Sequence, residues 1–219
     1  MRKTMKRLIA PLLALALAGI GSTAQAALIV YTNQASFLSA VSAPGFDNYT
    51  GFNINGLTSS PIVRTAGAYG YSASAPTGFY GAGTTANPWL STNTDTDVIT
   101  FYGFTSGVSA IGGNFFGSNI NGSFRSGNIT LVATDSAGFV SQTIANATTT
   151  SFLGFVSTTS LQSLSVTAMQ GAGNFWPTVD NLVLASSLPS SNVPEPASMA
   201  LLGLGMVSLA LSRRKKKQS

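Results

Sequence analysis

An all-β fold, an antiparallel sandwich or jelly roll with one short helix near its beginning, is predicted for the body of this 219-residue chain. Two observations carry that expectation. Short runs rich in Val, Ile, Thr, Tyr and Phe alternate apolar and polar residues, and Gly, Asn, Asp and Ser divide them at roughly 8 to 12 residues. Parallel strands joined by crossover helices would need long helical stretches between the strands, and the body has none.

The first strand is expected at 28–32 (LIVYT). Asn33 then offers a side-chain oxygen to cap a helix over 34–41, with Phe37, Leu38 and Val41 on one face and Pro44-Gly45 as the stop. Further strands are predicted at 61–65, 68–74, 98–104, 108–116 and 128–135. Four more, at 139–145, 152–157, 161–169 and 178–185, complete the body. Every Phe, Tyr and Trp of the chain lies between residues 27 and 192, so the apolar material for a core is concentrated there.

Two ends of different composition frame this body. At the start, Arg2, Lys3, Lys6 and Arg7 precede an apolar run over 8–20, and small residues lead to Ala24-Gln25-Ala26. That three-part order is the grammar of a secretory signal, with cleavage after Ala26 and a mature chain beginning at Ala27. The run is broken by Pro11 and reaches only about 20 Å as a helix, short of the roughly 30 Å of a bilayer core, which argues against an anchor. Signal peptidase and the general secretion machinery are the partners this implies.

At the other end Val193-Pro194-Glu195-Pro196 precedes an apolar stretch at 197–212, followed by Arg213, Arg214, Lys215, Lys216 and Lys217. The two prolines hold the tripeptide extended and present its single carboxylate. The stretch makes a helix of about 24 Å, which snorkelling cations extend to a bilayer. Under the positive-inside rule the five cations remain cytoplasmic and the body stands outside the cytoplasm. The organisation is thus a signal peptide at 1–26, a β-sandwich domain at 27–187, a linker at 188–192 and a tail at 193–217.

The order of Pro194-Glu195-Pro196, apolar helix and basic end resembles the PEP-CTERM sorting signal of Gram-negative bacteria. The resemblance implies processing by exosortase, transient residence in the inner membrane, then delivery to the cell surface or the extracellular space. It also implies association with exopolysaccharide or biofilm matrix. The nearest stretch to a sortase signal, Leu188-Pro189-Ser190-Ser191-Asn192, lacks the Thr-Gly pair that sortase cuts. Residues 150–185 also resemble the closing strands of jelly-roll domains found in PEP-CTERM proteins.

Composition removes several function classes. The formal charge of +5 resides in the ends; residues 27–192 hold two arginines against five aspartates, a net charge of −3, and no lysine. Two isolated arginines cannot supply the counterion release that drives phosphate binding, so nucleic acid is not an expected partner. Absence of cysteine excludes disulfides and thiolate chemistry, and absence of histidine excludes imidazole-dependent triads and metal sites. The body offers five Asp and no Glu, with no reason to pair any two for glycoside hydrolysis.

A few residues stand out as sites. Asp95 and Asp97, near Asn93, are hard oxygen ligands suited to calcium, against a simpler reading as polar loop residues. In the jelly-roll families the chain resembles, an Asp at the place of Asp180 sits at a structural calcium; a carboxylate bonded to local backbone is the alternative. Trp89 and Trp176, with Tyr69, Tyr71 and Tyr80, have rings able to stack on sugar faces or to pack in the core. No cofactor other than calcium is expected. The expected function is that of a non-enzymatic surface or matrix protein; a carbohydrate-binding module, calcium-assisted or not, is the alternative. Ice binding ranks lower because Thr148-Thr149-Thr150 is a run rather than an array, and a glycan-acting enzyme ranks last.

Overall fold

Residues 28–188, except residue 172, are described by a computed structural model. The signal peptide, the sorting tail and most of the linker lie outside these residues. Among the described residues no helix is long and apolar enough to cross a membrane, and the span expected at 197–212 is not among them.

Strand β1 (Ile29–Tyr31) opens the fold, and Asn33 caps helix α1 (Gln34–Ser39) by accepting from the Ser36 N–H at 3.1 Å. The helix ends two residues earlier than its apolar pattern suggested, at a turn where the Ala40 N–H donates to the Phe37 carbonyl at 3.0 Å. Val41, expected as its last apolar residue, instead begins strand β2 (Val41–Asp47), which carries Pro44 and Gly45 in its interior. Proline is tolerated there because the strand departs from regular pairing, with Ala43 at φ 49 and a register shift opposite Leu184 to Ser186.

Small pieces follow: β3 (Leu57–Thr58), β4 (Ile62–Ala66), β5 (Tyr69–Ser74), β6 (Phe79–Tyr80), β7 (Ala82–Thr84) and β8 (Asn87–Ser91). The remaining strands are β9 (Ile99–Tyr102), β10 (Ala110–Ser118), β11 (Phe124–Arg125), β12 (Gly127–Asp135), β13 (Phe139–Ala147), β14 (Phe152–Val156), β15 (Leu161–Ala168) and β16 (Trp176–Ser187). All ten strands read from the sequence are present, within about two residues at their ends.

Two antiparallel sheets form the layers. One runs β1-β14-β10-β16-β8-β7, with β2 also on β16 and β11 also on β10; the other runs β13-β12-β15-β9-β5-β4. Alternation decides which side chains meet between them. Ile129, Leu131 and Ala133 of β12 and Leu164 and Val166 of β15 point inward, against Ile111, Phe115, Leu153, Phe155, Val179, Leu182 and Leu184 of the first sheet. The body is therefore a sandwich with one main core, as period-two patterning requires.

The first sheet is covered on its outer face as well. Phe37 of α1, fully buried, packs with Phe152, Ala110, Val156, Val183 and Ala185 in a second, smaller cluster. Glycine makes this docking fit: a methyl at Gly154 would clash with the edge of the Phe37 ring, and one at Gly112 would lie 2.8 Å from the Phe152 ring. Coverage on both faces explains why β10 and β14 are buried almost throughout rather than alternately.

Opposite them, the outer face of the second sheet is open and hydroxyl-rich. Thr143, Thr130 and Thr167 lie in register across β13, β12 and β15, and the first two hydroxyls are 2.9 Å apart. The next rows contain Val132 and Phe139 at the corresponding places, so the threonines form one row and no lattice.

Registers also fix where the chain enters and leaves the body. Ile29 pairs with Val156, Val156 with Ala110 and Ala110 with Ala185, one transverse row across four adjacent strands. Ser118 and Trp176, paired at the far ends of β10 and β16, mark the other pole.

Candidate functional site

At that far pole five chain segments converge. The pairing of Ser118 with Trp176 brings the end of β10 beside the start of β16, and β8 joins β16 through Ser91 and Thr178. The β10–β11 turn, Asn119 to Gly122, closes on itself through the Gly122 N–H to the Asn119 carbonyl at 2.9 Å and holds Gly122 at φ 72. Its Gly122 carbonyl accepts from the Gly83 N–H at 2.8 Å, which ties the turn to β7. Tyr80 of β6 stands alongside.

Between these segments lies a groove in two parts. The first, about 290 Å³, is walled by Trp176, Tyr80 and Ile120 and edged by Asn93 and Asn119. The second, about 330 Å³, shares Tyr80, Ile120 and Gly122 and adds Asn55 and Asn121. Tyr80 and Ile120 are 41% and 75% exposed, so an aromatic and an aliphatic side chain stand as a ridge between the two depressions.

The floor is polar and tightly bonded. Thr178 donates to Ser118 at 2.9 Å, and Ser91 donates to the Pro177 carbonyl at 3.0 Å. All three hydroxyl residues are buried, so this network fixes the strand ends beneath Trp176. Trp176 is held in place by its indole N–H, which donates to the Asn93 carbonyl at 3.3 Å. The amides along the edge are freer. Asn119 uses its oxygen to accept from the Asn121 and Ser123 N–H groups, and the side chains of Asn55 and Asn121 make no hydrogen bond among the described residues. No residue lining either depression carries a charge.

Of the aromatic rings singled out in the sequence, Trp176 and Tyr80 meet in this groove. Trp89 does not line it; it packs edge-on against Phe116 with centroids 4.9 Å apart, and its buried indole nitrogen makes no hydrogen bond among the described residues. Tyr71 is a core residue whose hydroxyl donates to Asp47 at 2.8 Å, and Tyr69 is half-buried against the core.

The three carboxylates read as calcium ligands do not form one cluster. Asp97, just before β9, is buried and accepts from the Thr77 hydroxyl at 2.6 Å and the Thr77 N–H at 2.9 Å, which ties the 75–78 turn to the second sheet. Asp95 is half-exposed, and its backbone carbonyl accepts from Gln170 at 2.9 Å. Asp180 does not begin a strand: β16 starts four residues earlier, and Asp180 sits at a bulge where Asn181 takes φ 50. Its carboxylate accepts from the Asn181 N–H at 2.8 Å, and burial pushes its pKa up against that single bond. Asn114 is its cross-strand partner, and the Asn114 side-chain oxygen accepts at 3.2 Å from the amide of Asn181, the next residue on its own strand. Among the described residues no three acidic side chains gather into a metal-binding group.

Two other aspartates, unremarked in the sequence, organise the body. Asp47 at the end of β2 receives four donors: Arg64 through Nε at 2.7 Å and Nη2 at 2.8 Å, the Tyr71 hydroxyl, and the Tyr49 N–H at 2.8 Å. The Arg64 guanidinium also lies over the Tyr49 and Phe52 rings, 5.3 and 5.8 Å from their centroids. Burial, with the neighbouring Tyr71 and Asp47, drives the Tyr49 hydroxyl well above its ordinary pKa; that hydroxyl lies beside Tyr71 but makes no well-formed hydrogen bond among the described residues. Asp135 closes the β12–β13 hairpin by accepting from Ala137 and Gly138 N–H and from the Ser157 hydroxyl. Burial raises its carboxyl, but those bonds, the Ser157 hydroxyl first, outweigh it and leave its pKa lowered.

The PEP-CTERM protein-sorting motif matches residues 192–215, covering Val193, Pro194, Glu195, Pro196 and the apolar and basic segments that follow as far as Lys215. No curated protein and no solved structure matches the chain.

Proposed function

We propose, for a chain that its sorting motif identifies as an exosortase-processed, PEP-CTERM domain-containing exported protein, that the body serves as a non-enzymatic component of the cell surface or the exopolysaccharide matrix. Export, and passage through the membrane before processing, follow from the motif itself. The matrix role is the finer step, and one observation supports it above the others. The delivered domain is a sandwich with an acidic, lysine-free sequence and a charge-free groove at one pole, properties suited to residence among polysaccharides rather than to capture of nucleic acid.

Calcium bound near Asp180 would support the same role by bridging or stiffening, with Asn114 and Asn181 as the oxygen donors nearest to hand. The sorting arm is tested by Glu195→Ala, which removes the one charge of the tripeptide without altering hydrophobicity or topology. In an exosortase-bearing host the variant should stay full-length in the inner membrane, and normal processing would show that the enzyme does not read this motif here. The matrix arm is tested by fractionating a host unable to make exopolysaccharide. The processed protein should then leave the cell-associated fraction for the medium; unchanged retention would defeat the matrix reading.

A further inference from the structure

We propose that the two-part groove at the Trp176 pole binds an uncharged oligosaccharide segment, one stretch lying against Trp176 and the next crossing the Tyr80–Ile120 ridge toward Asn121. This deepens the matrix reading above and rests on it for its biological sense, while the chemistry stands on the groove alone.

Sugar rings have apolar C–H faces and hydroxyl rims, so their sites pair an aromatic plane with groups that both donate and accept. Trp176 supplies the plane, and its indole nitrogen is already occupied by Asn93, which leaves the ring fixed before any ligand arrives. Amides supply the rim. Each carries two donors and an acceptor, and Asn119, Asn121 and Asn55 have side-chain donors unspent among the described residues.

Charge decides which sugars. A uronate or sulfate would need an arginine or lysine at hydrogen-bond distance, and an amino sugar would need a carboxylate; neither depression has either. Length is decided by the shared wall. Because Tyr80, Ile120 and Gly122 line both depressions, they are adjacent across one shared wall, and a chain that fills both must exceed a single ring.

The test uses the full chain in a detergent without a sugar headgroup, against immobilised hexasaccharides of neutral glucans, mannans and xylans and against alginate and heparin oligosaccharides. At least one neutral hexasaccharide should bind and change tryptophan fluorescence. Trp176→Ala should weaken it at least tenfold, about 1.4 kcal/mol. Asn121→Ala should weaken that hexasaccharide while sparing a trisaccharide of the same glycan, measured alongside it, because only the second depression contains Asn121. If Trp176→Ala loses its β circular dichroism, Tyr80→Ala, on an exposed ring, takes its place with the same expected loss.

Failure of every neutral hexasaccharide at millimolar concentration overturns the proposal, as does preference for the anionic ligands. Affinity unchanged in both the Asn121 variant and the folded aromatic variant would move the site elsewhere. These outcomes are independent of the Glu195 experiment, so loss of sorting and loss of binding are separately visible.

Discussion

Replacing Asp47 with alanine should be among the most damaging single changes to the body. The carboxylate is 5% exposed and satisfies four donors, so its removal strands three groups at once. Arg64 loses a bidentate partner while its side chain remains only 22% exposed, and the Tyr71 hydroxyl and Tyr49 N–H lose their acceptor. Breaking a buried pair by removing one member typically costs about 3–5 kcal/mol, most of it from the charge left behind. Stacking of Arg64 on Tyr49 and Phe52 holds the guanidinium in place and limits its escape to water. For a domain of this size about 4 kcal/mol corresponds to a melting temperature lower by roughly 8–16 °C. Thermal unfolding of the full chain in detergent, followed by circular dichroism, measures it. Adding Arg64→Met to the Asp47→Ala variant should recover part of the loss, because the stranded charge is gone. A single-variant loss under about 1 kcal/mol, or strictly additive effects in the double variant, would refute the claim that the pair acts as a unit.

Gly154→Ala should cost about 1–3 kcal/mol in the same melting assay, since the added methyl meets the buried Phe37 ring, and Phe37→Leu should relieve part of it. Asp180→Asn should stabilise the body near neutral pH in chelator. Its folded pKa is raised, so its ionisation costs stability as pH rises from the ordinary carboxylate range through the folded value, and the variant's advantage should vanish in acid. If calcium raises the melting temperature of the parent and not of this variant, Asp180 is a ligand. Asp135→Asn has the opposite sign: a lowered pKa contributes stability above the unfolded value, near 3.9, that is lost as pH falls through the folded value. The variant should therefore be less stable at pH 7 and converge on the parent in acid. N-terminal sequencing of exported protein should begin at Ala27; retention of Met1 would defeat the reading of the leader.

The parts legible in the sequence were those whose cause is local. Alternation in NITLVATD and LQSLSVTA specifies strands with one buried face, and Asn33 announces the helix cap. Strand β2 was hidden because Pro44 and Gly45 look like a stop, and its pairing with β16 lies more than a hundred residues away. The two- and three-residue strands β3, β6, β7 and β11 are too brief for a period to register, and β8 carries Pro88, which argues against a strand. Long-range geometry was invisible for the same reason: nothing local shows that Thr130, Thr143 and Thr167 share a row, or that Asp47, Arg64 and Tyr71 meet. In the groove, Trp176 and Tyr80 were singled out by residue type alone. Asn119 and Asn121 signalled only a turn, and their place beside Trp176 depends on register between β10 and β16.

The transverse row Ile29, Val156, Ala110 and Ala185 gives the body a direction. Three strand spacings, about 14 Å, separate where the chain comes into the sheet from where β16 carries it out toward the tail. Both ends of the described body therefore lie at one pole of the sandwich. Trp176 lies nine residues up β16 from Ala185, about 30 Å toward the other end at strand rise. The groove therefore sits at the pole opposite both ends of the described residues. A ligand held there and the two ends of the described body are separated by the length of the sheet.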